Sequence, residues 1–336
     1  MIPRTLNALL YHAAISCALL ATVPALQAQA PAHSVAPKAC PKGRVNETRK
    51  VGDYLIRQVD AAIHNDPNDA EDVEYHPCLE VRKAGRILFS EIDEQRDYVF
   101  GNGIYPESSK PKPGEPVMKP GDDLTGLGVP NVLISTFSGG AHCCSGFYLF
   151  ELGEKFNLLK VDAGDGDGSH AEYDAARHSW YFRLADWNFN YWKTSFVDSP
   201  APSIVLSVRR DADGKDAFHL DWDKMRQPAP TQAEFNKMVK ETREDERWKN
   251  SDNDQKEHIP PALWANMLDL IYSGNTASAF QLLDATWPKA RKGKSTFTSE
   301  FCEQIAHSHY IEDLRPVLKP LPTGCVVQVS KKNNSQ

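Results

Sequence analysis

Residues 121–152 read GDDLTGLGVPNVLISTFSGGAHCCSGFYLFEL, and the order of signals in this stretch decides the fold. A short Asp/Gly loop comes first. An apolar run at 132–137 follows, then a Gly139-Gly140 turn, the triplet His142-Cys143-Cys144, and a second apolar run at 147–152. Two β-rich runs separated by glycine are a hairpin signature. The loop has the residue types of an oxygen-ligand cation site: Asp123 first, Thr125 third, Gly128 for the sharp turn and Asn131 at the end. Leu127 occupies the fifth position, where no side-chain ligand is possible, so one carboxylate is missing.

Working outward, further strand-like runs lie at 156–161, 180–184, 204–208 and 217–220, with Gly, Pro, Asp and Asn between them. Upstream, 78–81 and 86–92 predict a hairpin turning at Lys83-Ala84-Gly85. The spacing of Val51, Leu55, Val59 and Ile63 predicts a helix over 51–63, stopped by the turn cluster at 65–69. The expected architecture over 51–230 is a β-rich domain, an antiparallel sheet arranged as a sandwich or as part of a propeller. A full propeller needs at least about four blades of four strands, more than the chain offers.

The composition changes near Gln227. Residues 231–258 are dense in both charge signs and predict a charged linker or helix. Residues 259–325 predict a small helical module. Its first helix has the face Leu263, Trp264, Met267, Leu268 and Ile271 and stops at Gly274-Asn275. Thr276 is the expected cap of the second helix, and Phe297, Phe301 and Ile305 mark a third. The tail at 326–336 is expected to be disordered.

At the other end, Arg4, an apolar stretch at 9–23 and Ala28-Gln29-Ala30 predict a signal peptide over 1–30, followed by a flexible tail over 31–50. The apolar stretch is shorter than the roughly 20 residues of a membrane span, so no transmembrane segment is expected after signal cleavage. The expected location is periplasmic or secreted. Six cysteines remain after residue 30, and an even number in an oxidising compartment predicts disulfides. Proximity favours Cys302 with Cys325 and Cys40 with Cys78, leaving Cys143 and Cys144. The net charge of −7 is spread along the chain without a basic stripe, which argues against a nucleic-acid partner.

Three clusters carry the possible chemistry. Asp162, Asp165 and Asp167 in DAGDGDG either share one cation or form a turn between strands. His142-Cys143-Cys144 reads as structural cysteines, a vicinal disulfide, or a thiolate–imidazole metal site, although the spacing is unlike that of zinc motifs. Residues 180–192 hold seven aromatic side chains with Asp186, Asn188 and Asn190 between them. Rings and amides of this kind stack on sugars and bind their hydroxyls, but aromatic side chains also fill the cores of sheets.

The loop leading into a strand resembles the FG-GAP/VCBS repeat of integrin-type β-propeller domains and of many bacterial exported proteins. SGGAHCC, DAGDGDG, SFVDSPAP and the later MLDLIYSGN and LLDATWP resemble segments of a group of bacterial exported repeat proteins. The resemblance covers about 122–230 and implies calcium as the cofactor, held by Asp123, Thr125, Asn131, Asp162, Asp165 and Asp167. It implies a non-enzymatic binding or envelope-associated role, with a protein or a glycan as ligand. Two alternatives remain: a secreted, possibly carbohydrate-directed hydrolase using the aromatic cluster, and a thiol- or metal-handling periplasmic protein using His142, Cys143 and Cys144.

Overall fold

The computed structural model describes residues 37–64, 72–101, 116–139, 144–165, 169–211, 213–248 and 259–327. The chain divides into Met1–Ala36 and Pro37–Gln336, and everything described belongs to the second unit. The expected signal peptide, Asp167, His142, Cys143 and the end of the C-terminal tail lie outside the described residues.

Twelve described strands form three antiparallel four-stranded sheets, each a meander of consecutive strands. The first contains β1 (Gly43–Val51), β2 (Tyr54–His64), β3 (Val73–Lys83) and β4 (Arg86–Ile92). The second contains β5 (Asp97–Phe100), β6 (Asn131–Phe137), β7 (Ser145–Leu152) and β8 (Phe156–Gly164). The third contains β9 (His170–Asp174), β10 (Ser179–Ala185), β11 (Ser203–Arg210) and β12 (Asp216–Leu220). The helices follow: α1 (Trp222–Met225), α2 (Gln232–Glu244), α3 (Pro261–Tyr272), α4 (Thr276–Thr286), α5 (Lys294–Ala306) and α6 (Ile311–Leu314). The β-rich part followed by a small helical part is as expected, and the described strands close no barrel.

The second sheet explains why FYLFEL is so apolar. Every residue of β7 is buried. Successive side chains point to opposite faces of a strand. Phe147 and Leu149 therefore enter one core, with the third sheet and the helices, while Tyr148, Phe150 and Leu152 enter another, with Tyr54, Ile56, Leu79 and Val81 of the first sheet. A sheet covered on both faces needs continuous rather than alternating apolar sequence. Each fully buried side chain of this size contributes roughly 1.5–3 kcal/mol.

Two expectations at the N-terminal end are overturned. The helix predicted over 51–63 is instead the end of β1, a turn and the strand β2, and residues 43–50, placed in a flexible tail, form the rest of β1. Val51 pairs with Tyr54 across the two-residue loop Gly52-Asp53, with Gly52 at φ 55°. Glycine at the first position of such a loop is a strong hairpin signal. The four-residue spacing of Val51, Leu55, Val59 and Ile63 is incidental. The buried positions of β2 are Tyr54, Ile56, Val59 and Ala61, a two-residue alternation that changes phase opposite the bulge at Val45/Glu47. The Ala84-Gly85 hairpin between β3 and β4 forms as predicted.

The helical part packs directly on the third sheet. Leu263, Trp264, Met267 and Ile271 of α3 share one core with Phe182, Ile204 and Leu206. In the charged stretch, α2 starts with a capping box in which Thr231 and Glu234 satisfy each other's backbone N–H groups. Thr276 does not cap α4 with its side chain; its hydroxyl donates to the Val317 carbonyl at 2.7 Å. Cys40–Cys78 and Cys302–Cys325 are disulfides, as proximity predicted. They are compatible with an oxidising compartment. Among the described residues no helix is long and apolar enough to cross a membrane.

A candidate ligand cleft between the second and third sheets

The 123–131 loop is closed by its own polar groups. Asp123 accepts from the Gly126 N–H at 2.8 Å, the Gly128 N–H at 2.7 Å and the Thr125 hydroxyl at 3.2 Å. Thr125 Oγ1 accepts from the Leu127 N–H at 3.3 Å, and the buried Asn131 Oδ1 accepts from the Leu124 N–H at 2.8 Å. The loop is fixed to the third sheet where the Trp180 N–H donates to the Leu124 carbonyl at 2.7 Å. Asp123, Thr125 and Asn131 are thus brought together, and each carries a structural hydrogen bond that fixes the turn. Among the described residues no group of three or more His, Cys, Asp or Glu side chains is gathered to hold a metal ion.

The second acidic cluster lies elsewhere, where β8 ends. Asp162 and Asp165 line a cavity of about 240 Å³. Residues from the end of β10 and from the turn before α6 complete its wall, among them Asp186, Trp187, Asn190 and His309. Asp186 is its fixed point. Buried to 3% exposure, it accepts from the Asn188 N–H at 2.9 Å, from the Ser308 hydroxyl at 2.7 Å and from the Tyr272 hydroxyl. Burial, and then the negative charge of Asp186, hold the Tyr272 phenol well above its ordinary value. Tyr310, also on the wall, is raised by burial and by the carboxylates of Asp186, Asp162 and Asp313. It is therefore a neutral hydroxyl at any physiological pH.

Gly164 positions the aromatic wall. Its φ is 60°, and a Cβ there would lie 2.0 Å from Trp187 Cδ1 and 2.4 Å from Nε1. Only glycine lets the indole lie this close to the end of β8. On its other side Trp187 stacks on Phe196 with centroids 5.3 Å apart and planes 3° apart, and Tyr191 lies 5.6 Å from Phe196. The aromatic cluster of 180–192 is thereby divided. Trp180, Phe182 and Phe189 are core, and Trp192 packs edge-on against Trp264. Trp187, with Phe196 from outside the cluster, lines the cavity, and Tyr191 is 60% exposed.

A second cavity of about 510 Å³ shares Asp162, His309 and Tyr310 with the first and continues between β8, β12 and α6. Asp313 fastens α6 there. Its carboxylate lies 3.0 Å from His219 Nδ1 and accepts from the Leu220 N–H at 3.0 Å, while its backbone carbonyl accepts from the Trp222 indole at 3.0 Å. Sequence reasoning marked Asp162, Gly164, Asp165 and the aromatic cluster but did not join them to one another or to Phe196, His309 and Tyr310. No local signal joins these segments, because their only connection is through the packing of α5 and α6 on the third sheet.

Cys144 is also disulfide-bonded. Its N–H donates to Ser138 Oγ at 2.8 Å. Comparison with known proteins finds no matching family model, no matching curated protein and no matching solved structure.

Proposed function

We propose that this is an exported, non-enzymatic binding protein, built on degenerate calcium-loop repeats of the FG-GAP/VCBS kind, that captures a small polar ligand in the cleft between β8, β10 and the turn before α6. One observation carries the reading: the cavity wall contains two buried polar atoms without a protein partner, Trp187 Nε1 and the side-chain oxygen of Asn190. Buried polar groups are nearly always hydrogen-bonded, and leaving one unsatisfied costs about 1–3 kcal/mol. Of the five such atoms among the described residues, two belong to residues that line this one cavity. Binding is favoured over hydrolysis because Asp186 is immobilised by three donors, which suits an anchor better than an acid or base that must exchange protons. The disulfide at Cys144 weighs against a free-thiol role there.

The test is a thermal-shift panel on the mature chain: neutral sugars, amino acids, dipeptides and calcium, each against wild type and Asn190→Leu. A ligand that binds only the native state at a hundred times its Kd stabilises it by about 2.7 kcal/mol. At least one class should raise the wild-type midpoint and fail to raise that of the variant. If no class raises the wild-type midpoint, or if wild type and variant respond alike, the cleft is not a binding site.

A further inference from the structure

We infer that the ligand class of the cleft is a neutral oligosaccharide, seated with a sugar ring against Tyr191, the exposed end of an aromatic ledge that the stacked Trp187 and Phe196 support. The inference rests on the binding reading above and adds the chemistry of the ligand. Three features of the wall point to it together.

The first is the pairing of orphaned groups. Trp187 Nε1 is a donor only, and the Asn190 side-chain oxygen is an acceptor only. A hydroxyl both donates and accepts, so a polyol serves both without a change of charge. The second is the sign of the site. Asp162 and Asp165 lie on the wall with Asp186 behind them, and no described Lys or Arg pairs with Asp162 or Asp165. Carboxylates accept hydroxyl protons readily but repel phosphates, sulfates and uronic acids. The third is the ledge. Trp187 and Phe196 are stacked on each other and cover each other's faces, and beside them the 60%-exposed Tyr191 offers a ring to solvent. Sugar rings present C–H faces that pack on such surfaces, with a rim of hydroxyls for the polar groups alongside.

The ledge is also held in a costly conformation. Tyr191 and Lys193 have φ values of 56° and 55°, the left-handed region that non-glycine residues rarely adopt. Ser199 Oγ accepts from the Tyr191 N–H at 2.9 Å and donates to the Ser195 carbonyl at 2.8 Å, and Lys193 reaches Glu300 on α5 at 2.5 Å. Two such residues within three positions, held by specific contacts, present Tyr191 outward beside the cavity. Strain of this kind concentrates at ligand-binding positions. Length follows from the second cavity, which continues past Asp162, His309 and Tyr310 and gives room for further rings.

The experiment is isothermal titration of the mature chain with maltohexaose, cellohexaose, chitohexaose, an oligogalacturonate and a trialanine peptide. Wild type, Tyr191→Ala and Asn190→Leu are compared. Tyr191 is largely exposed, so its variant should keep the wild-type melting temperature. A neutral hexasaccharide should bind, with Tyr191→Ala weakening it about tenfold, the worth of roughly one ring contact. Oligogalacturonate should bind at least tenfold more weakly than the neutral chains. Tighter binding of oligogalacturonate overturns the neutral character of the ligand, and binding of the peptide alone overturns the saccharide assignment; the binding reading survives either result where Asn190→Leu abolishes the binding and falls where it does not. Neutral-sugar binding indifferent to both substitutions overturns the ledge as the site. Absence of binding by every probe here and throughout the thermal-shift panel overturns both readings.

Discussion

At the scale of single residues, two buried glutamates respond to protons in opposite senses. Burial works to raise Glu80, but the Arg82 guanidinium, the Cys40 N–H and Arg57 outweigh it and hold the carboxyl below its ordinary value. Arg82 donates to both carboxylate oxygens at 2.6 and 2.9 Å, Arg57 at 2.8 Å and Cys40 N–H at 3.0 Å. A lowered acid adds stability that is fully present above its unfolded value near 4.5 and is lost as the pH falls through the folded value. Glu80→Gln should therefore cost about 3 kcal/mol in urea denaturation at pH 7, since removal of one partner leaves the others uncompensated. The deficit should shrink in acid well below pH 4.5. Glu151 is the reverse case. Burial raises it, and the neighbouring Asp216 acts in the same direction against Asn157 and Arg210. Its Oε1 is buried without an acceptable donor, a defect that protonation removes by providing a hydrogen for Asp216. The folded chain then holds a proton that the unfolded chain has lost, so stability declines as the pH rises above about 4.5. Glu151→Gln keeps the acceptor for Asn157 and supplies the missing donor. It should gain about 1 kcal/mol at pH 7, with the gain vanishing below pH 4.5. A loss at pH 7 would mean that Glu151 is ionised and properly partnered.

At the scale of elements, what could be read from the sequence depended on whether the deciding contact was local. β6 and β7 were legible because a strand buried on both faces must be apolar throughout, and 132–137 and 147–152 are nearly so. The Ala84-Gly85 hairpin was legible from its turn residues. Residues 51–63 were misread because the polar Arg57 and Gln58 break the two-residue alternation of β2, leaving the four-residue spacing more prominent than the Gly52-Asp53 turn. The 123–131 loop was legible as a turn, while its cation chemistry is open to direct test. Asp123 closes it by accepting two backbone N–H groups, as the first residue of a helix cap does. Asp123→Ala should cost about 1–2 kcal/mol even in EDTA, the usual effect of losing a capping side chain. If the loop also holds calcium, added calcium should raise the midpoint of EDTA-treated wild type and leave that of Asp123→Ala unmoved. Equal response of the two proteins would remove calcium from this loop.

At the scale of the whole molecule, the boundary near residue 230 that composition suggests is not a boundary in the packing. Sheet 3 has one face against Phe147 and Leu149 of the second sheet, and its core continues without a break into α3, α4 and α5. The cleft depends on this continuity: Asp186, at the end of β10, is held by Tyr272 from α3 and by Ser308 after α5. Asn188 and Gln304 exchange side-chain-to-backbone hydrogen bonds across the same seam. This is why the site was hidden in the sequence, for its walls come from segments more than a hundred residues apart. Trp264 is the keystone to test. It is 0% exposed, and it meets Trp192 edge-on at 5.5 Å and Phe297 at 6.3 Å. Trp264→Ala should cost about 3–5 kcal/mol, the usual range for a large aromatic removed from a core. Because Trp192 belongs to the loop that presents Tyr191, the same variant should also weaken ligand binding, a loss that a separate helical domain would not produce. Urea unfolding of wild type should give coincident transitions by far-ultraviolet circular dichroism and by tryptophan fluorescence, the mark of one cooperative unit. A chain ending at residue 230 should fail to fold, since it would lose the helices whose apolar side chains share one core with Phe182, Ile204 and Leu206. Two resolved transitions, or a folded 1–230 fragment, would instead make the helices a separate domain and leave the cleft walls joined only through their docking.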